Sequence, residues 1–164
     1  MSRAFVKEAD GDDVVDDIPE RIHSDLPNYI TQQGLDALHR AVVNLEKELN
    51  NIASLEAVDS KSRKQTISRD LSFYRERIAR AIPVDVPDIA PRIVRFGVTV
   101  TLIDENDNNF IFTIVGEDET DVEHGRISWA SPLAKLLINK EVGDEILWPR
   151  GDNVLPVEIT DISV

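Results

Sequence analysis

The chain has 164 residues, 41% of them hydrophobic and 5% aromatic, which suits one ordinary domain or two small ones with an aliphatic core. It contains no cysteine, and this excludes disulfide bonds, thiolate metal sites and thiol catalysis. The net charge is −13, and residues 82–164 carry 6 basic against 16 acidic side chains. Because duplex phosphate repels such a surface, autonomous DNA binding is disfavoured, and a protein partner with a basic surface fits better.

Residues 1–28 are predicted to form an acidic, disordered tail. The stretch EADGDDVVDDIPE (8–20) combines seven acids with a glycine and a proline, a composition that buries little apolar surface. The first residues lack the apolar segment of a secretory signal, and no apolar run reaches the roughly 18 residues of a membrane span. We therefore expect a cytoplasmic protein without a membrane partner.

Residues 29–82 are predicted to form an antiparallel coiled-coil hairpin of two helices. Thr31 is a candidate N-cap, and the apolar residues that follow recur at steps of three and four, the pattern of a heptad seam. The polar stretch VDSKSRK (58–64) interrupts the pattern before a second seam begins. A short connection makes the helices antiparallel neighbours. The alternative is that both helices lie in a globular core. The seam residues are Leu35, Leu38, Val42, Leu45, Leu49 and Ile52, then Ile67, Leu71, Tyr74, Ile78 and Ala81.

The carboxyl-terminal part follows a proline-rich linker at residues 83–91. The segment IPVDVPDIAP (82–91) holds three prolines, which cannot continue a helix. Residues 92–164 then alternate with period two in several short segments, as β-strands do, and Ser131-Pro132 marks the start of one short helix. The predicted fold class is α+β, with the helical hairpin followed by an antiparallel β-sheet domain that has one short helix.

Two long motifs connect the sequence to a known family. They are IVGEDETD (114–121) and GRISWASPLAKLLINKEVGDE (125–145), supported by YIT (29–31) before the first helix. On these residues the chain resembles the Gre-type (GreA/GreB) bacterial transcript cleavage factors over residues 29–55 and 92–164. Its short hairpin is similar to that of the Gre-like group that includes the regulator of nucleoside diphosphate kinase.

The resemblance implies a fold, a partner and a docking surface. It implies that residues 92–164 form an FKBP-like domain and that the partner is RNA polymerase. The protein would bind at the secondary channel of the polymerase as a monomer and would contact nucleic acid only indirectly, through the polymerase. In the family the hairpin enters the channel, where acids at its tip help to hold a second Mg²⁺ for hydrolysis of backtracked RNA. The residues that the resemblance assigns to docking are Asp118, Glu119, Asp121, Ser131, Pro132 and Leu133.

The hairpin tip departs from the family pattern. The family's acidic tip motif is absent, and cations occupy the region instead, namely Lys61, Arg63, Lys64 and Arg69. These cations would repel Mg²⁺, and the short hairpin would place any metal ligand at the wrong distance from the active site. Glu56 and Asp59 are weak candidates for Mg²⁺ ligands.

From this departure we expect a regulator of elongation that is not an enzyme, with no catalytic residue, metal or cofactor of its own. The alternatives are an active cleavage factor and an adaptor that regulates a metabolic kinase. Prolyl isomerisation is disfavoured because the chain has few aromatic residues to line a pocket.

Overall fold

The computed structural model of the protein describes residues 22–53 and 59–164. It confirms an α+β fold with a carboxyl-terminal sheet. The helices and strands are β1 (Asn28–Ile30), α1 (Gln32–Ala53), α2 (Asp59–Ala79), β2 (Ala81–Pro83), β3 (Thr99–Asp104), β4 (Asn109–Val115), β5 (Arg126–Ser128), α3 (Pro132–Leu137), β6 (Glu145–Arg150) and β7 (Asn153–Ser163). Two short 3-10 helices, Glu117–Glu119 and Val122–His124, connect β4 to β5. Most of the predicted acidic tail lies outside the described residues.

Helices α1 and α2 pack side by side as an antiparallel pair. Thr31 caps the start of α1, because its Oγ1 accepts a hydrogen bond from the amide of Gly34 at 3.0 Å. Late in α1, Glu48 pairs with Arg63, which lies early in α2. This order of contacts is that of a hairpin, while its coiled-coil character stays a prediction. Among the described helices, none is both long and apolar enough to cross a membrane.

The boundaries of α2 correct two sequence-based details. The polar stretch that was assigned to the connection is helical from Asp59 onward, because α2 starts there. At the other end, α2 stops at Ala79, and Ala81 pairs with Asn28 in a two-stranded parallel sheet, β1–β2, that the sequence did not predict. Ala81 is therefore not a seam residue. The amide of Val84 extends this join by donating to the carbonyl of Ile30 at 2.9 Å.

The main sheet has five strands in the order β5-β4-β3-β7-β6, with β5 and β6 as its edges. Its strands pair antiparallel except that β5 runs parallel to β4, so the prediction of a wholly antiparallel sheet is wrong. The reason is the connection, since residues 116–125 carry the chain back along the edge before β5 begins. Between Thr101 and Leu102 the register of β3 on β7 shifts by one residue, and the extra residue, Thr160, donates its hydroxyl to the carbonyl of Thr101.

The sheet and α3 enclose an aliphatic core, as the composition predicted. Ser131 caps α3 by accepting from the amide of Ala134 at 3.2 Å, which confirms the predicted helix start. The FKBP-like character of this part stays a prediction. The core residues are Val94, Val98, Val100, Leu102, Ile114, Ile127, Leu133, Ala134, Leu137, Ile146, Val157, Ile159 and Ile162.

Candidate functional site

A buried ionic cluster joins the base of the helix pair to the turn after β4. We call it the clamp, and it consists of Asn28, Thr31 and Arg77 on the helix side and of Asp118 and Glu119 on the sheet side. The side chain of Arg77 is only 3% exposed, and its Nε donates to the two carboxylate oxygens of Asp118 at 2.9 and 2.8 Å. Its Nη2 donates to Asn28, whose own amide nitrogen donates to the Arg77 carbonyl at 2.9 Å. A buried cation is tolerated here because its Nε and Nη2 both donate to fixed acceptors.

The second half of the clamp is the carboxylate of Glu119 at the start of α1. Its side chain is 3% exposed and accepts hydrogen bonds from the amide and the hydroxyl of Thr31, the former at 2.9 Å. It also accepts from the amide of Gly116 at 3.2 Å and from Nη2 of Arg126 at 3.3 Å. The carboxylate therefore lies at the positive end of the α1 dipole with its burial compensated by several donors.

Two glycines allow the parts of the clamp to approach this closely. A Cβ atom at Gly34 would overlap the side chain of Glu119, and one at Gly116 would overlap the carbonyl oxygen of Tyr29. Any larger residue would push the helix start away from the sheet.

An aromatic contact lies at the same join. The ring of Tyr29 lies beside Trp129, with centroids 5.1 Å apart in an edge-to-face arrangement.

The structure divides the predicted docking residues into buried and exposed groups. Asp118 and Glu119 bind within the chain, and the side chain of Leu133 belongs to the core. In the free chain these three side chains point inward, and their role in docking stays a prediction. Ser131 is occupied as the cap of α3, while Pro132 is exposed; docking stays a prediction.

Asp121 lies outside the clamp and faces solvent. Its carboxylate lies 2.8 Å from Nδ1 of His124, and it accepts from the His124 amide at 3.3 Å. The hydrogen bond to the His124 side chain is the main reason that the pKa of Asp121 is lowered, with burial opposing it. Asp121 is therefore an exposed anion at neutral pH.

The four cations near the hairpin tip are not equivalent. Arg63 donates to Glu48 at 2.8 Å, and Arg69 donates to Asp70 at 3.0 Å. Lys61 is exposed and Lys64 is half-buried. Two of the four charges are thus paired within the helices, so the repulsion of a metal ion at this end is weaker than the count of cations suggested.

The two weak Mg²⁺ candidates follow the end of α1 in the sequence. Glu56 lies outside the described residues, and Asp59 is placed as the first residue of α2 without a described side chain. Their prediction as metal ligands stays untested.

The amino-acid sequence alone does not predict the clamp. No sequence motif singles out Arg77, and Asp118 and Glu119 are predicted from the resemblance as docking residues, not as its partners. The signal that points to it is the acidic run directly after β4, because such a run offers partners for a cation elsewhere in the chain.

Comparison with known proteins points to one family. A family model described as "Transcription elongation factor, GreA/GreB, C-term" matches residues 90–164. Transcription elongation factor GreA of Maricaulis maris is 42% identical over 95 residues, covering 56% of this chain and 60% of that protein. The GreA of Phenylobacterium zucineum is 38% identical over 105 residues, covering 63% and 67%. The chain spans about 60% to 67% of the length of these two curated relatives.

Two solved structures show more distant similarity. A GreA/GreB factor from Nitrosomonas europaea is 24% identical with a TM-score of 0.43, covering 85% of this chain and 99% of its own. The GreA factor homolog Gfh1 of Thermus thermophilus is 18% identical with a TM-score of 0.41, covering 85% and 100%. At these scores neither likeness bears on function.

The names of the curated relatives correct one prediction. They are called GreA, the type of factor associated with stimulated transcript cleavage, and this finding points toward RNA hydrolysis. The expectation that the protein is not an enzyme is therefore wrong. Its physical basis was the cationic tip, where pairing of Arg63 and Arg69 with acids removes part of the supposed repulsion.

Proposed function

Because the chain belongs to the GreA/GreB family of transcription elongation factors, we propose that it binds RNA polymerase and stimulates the polymerase to hydrolyse backtracked RNA. The observation that carries the proposal is the family match over residues 90–164. The clamp joins this part of the chain to the helix pair. At about 1.5 Å per residue, the 22 residues of α1 span about 33 Å. That length suits a probe that reaches a recessed catalytic centre while the sheet remains outside.

The sheet part supplies the docking surface in this proposal. Residues 82–164 carry an excess of acids. The exposed Asp121 lines a surface groove together with Gln33 and Gly34 at the start of α1, and Pro132 is exposed as well. An acidic surface steers association with a basic rim on the partner and fixes orientation. Nucleic acid is then met only within the polymerase.

The connection between the helices and the first residue of α2 supply the chemical groups. Hydrolysis of a phosphodiester requires an activated water and neutralisation of the charge that develops, which a second Mg²⁺ provides when it is bound. Mg²⁺ is held by one or two carboxylates together with phosphate and water. Glu56 and Asp59 are the carboxylates of this chain in the right region, and their role is to complete a ligand set held mainly by the polymerase.

The cations beside them act on anionic groups. Lys61 and Lys64 carry charges for which the described contacts give no carboxylate partner within the chain, and Arg63 shares its charge with Glu48 at 2.8 Å. In the proposed complex they contact RNA phosphate or acidic polymerase side chains near the tip. Their contribution is to hold the displaced RNA end in place.

A cleavage assay tests the proposal. Purified protein is added with Mg²⁺ to a stalled, backtracked elongation complex, and RNA shortening is followed with time. The double variant Glu56→Gln/Asp59→Asn is expected to slow shortening on the order of 100-fold, because the metal loses the two carboxylates that complete its ligand set and is held less accurately.

The matched control is Glu105→Gln/Asp107→Asn, which neutralises two exposed acids in the β3–β4 turn and should leave the rate unchanged. A wild-type protein that binds the polymerase without accelerating shortening would contradict cleavage stimulation. The remaining activity would then be occupation of the channel.

A further inference from the structure

The hydrogen bonds that join the helix pair to the sheet are made at the base of the hairpin. Thr31 contributes from the start of α1, and Arg77 from the last turns of α2. One residue therefore anchors each helix, and the two anchors share the turn formed by Asp118 and Glu119. A rigid attachment at two points defines a direction as well as a position.

Arg77 has the geometry of an orienting contact. Its guanidinium is 3% exposed, contacts both oxygens of Asp118 at 2.8 and 2.9 Å, and has Glu117 at 3.6 Å. The same fork reaches Asn28 in β1. A planar guanidinium that contacts several fixed acceptors restricts rotation, whereas a point charge restricts only distance.

Small rotations at this base become large displacements at the tip. With α1 about 33 Å long, a rotation of about 10° moves its far end by about 6 Å. Misplacing a reacting group by about 1 Å costs on the order of 100-fold in rate. The angle of the hairpin therefore matters more for chemistry at the tip than for docking of the sheet.

From these contacts we propose that Arg77 is a positioning residue, which through Asp118 and Asn28 fixes the angle at which the helix pair projects from the sheet. This inference rests on the proposed function where it concerns cleavage. The angle itself is a property of the isolated chain, and it is measured without the polymerase.

The first test measures the angle directly. Since the chain has no cysteine, the double variant Ser62→Cys/Val154→Cys carries two spin labels, one early in α2 and one on the exposed side of β7. Pulsed electron paramagnetic resonance should give a narrow distance distribution, and adding Arg77→Met should broaden it.

The matched control is Arg75→Met. It removes an exposed arginine from the same helix, where the partner is Glu46 at 2.7 Å within the hairpin. The control should keep the narrow distribution. An equally narrow distribution with Arg77→Met would overturn the proposal.

Asp118→Asn provides the test where Arg77→Met does not fold. It keeps the size of the side chain and removes only its charge. Folding is checked by circular dichroism, and the same comparison of distributions decides the outcome.

The second test separates binding from chemistry. Arg77→Met is expected to lower the RNA shortening rate at saturating protein by on the order of 10- to 100-fold, with the Kd for polymerase changed less than about 3-fold. A parallel loss of binding and rate would mean that Arg77 is merely structural and would overturn its positioning role. If wild-type protein stimulates no cleavage, the proposed function fails, while the spin-label distances still decide the role of Arg77.

Discussion

Asp104 organises the β3–β4 turn through three hydrogen bonds to a single carboxylate. It accepts from the amides of Asn106 and Asn108, each at 2.9 Å, and from the side chain of Asn108 at 2.9 Å. These bonds hold a turn in which Asp107 has a φ of 61°, a left-handed conformation that Asp tolerates better than most residues. The hydrogen bond from the Asn108 side chain is the main reason that the pKa of Asp104 is lowered, with burial opposing it.

A lowered carboxylate pKa gives the turn a pH-dependent stability. The contribution of Asp104 is present above its ordinary pKa of 3.8 and is lost as the pH falls through its lower folded pKa. Asp104→Ala should therefore lower Tm at pH 7, and its Tm should approach that of the wild type below about pH 4. Thermal unfolding followed by circular dichroism at several pH values checks this, and a constant difference down to pH 2 would contradict it.

At the scale of the element, the helix pair is packed unevenly along its seam. Leu38, Ile67 and Leu71 are buried, with at most 6% of each exposed, whereas Leu45 and Leu49 are half-buried. The few deeply buried side chains carry much of the contact between α1 and α2. Truncation of one of these side chains should therefore lower the free energy of unfolding as much as a truncation in a hydrophobic core does.

Leu71→Ala tests how much the seam contributes. Leu71 is 4% exposed, so we expect the free energy of unfolding to fall by about 2–5 kcal/mol, the usual cost of such a truncation. Urea denaturation measures the change. Ser68→Ala, at an exposed position on the same helix, is the control and should alter stability by less than about 0.5 kcal/mol. A loss for Leu71→Ala as small as the control's would mean that the seam is not packed.

At the scale of the whole molecule, the clamp couples two parts that have separate cores. The helix pair buries few large side chains of its own, and it gains stability from Arg77 and Glu119, whose partners lie across the join. Loss of the sheet would leave the buried Arg77 cation without Asp118, which is costly. The two parts should therefore unfold together.

Two spectroscopic signals test this coupling. Far-ultraviolet circular dichroism follows the helices, and tryptophan fluorescence follows Trp148 in the sheet and Trp129 at the join. Their thermal transitions should coincide in the wild type, and Arg77→Met should separate them, with the helical signal lost first. Two separate transitions in the wild-type protein would contradict the coupling.

Local sequence signals predicted much of this molecule. Heptad spacing and Thr31 predicted the helices and the start of α1, while period-two segments and Ser131-Pro132 predicted the strands and α3. Each of these signals acts over a few residues and so is visible in the chain itself. Three features depend on residues that are distant in the sequence, and no local pattern specifies them. They are the parallel pairing of β5, the β1–β2 pair, and the bond between Arg77 and Asp118, which are 41 residues apart.

The two edges of the sheet have a consequence for how copies of this chain meet. One edge, β5, has three residues, and the other, β6, contains Pro149, which has no amide hydrogen to offer. Neither border is a good template for an added strand. Copies of the chain should therefore have little tendency to form fibres by pairing the edges of their sheets, even at high concentration. The helix pair then remains free to contact a partner.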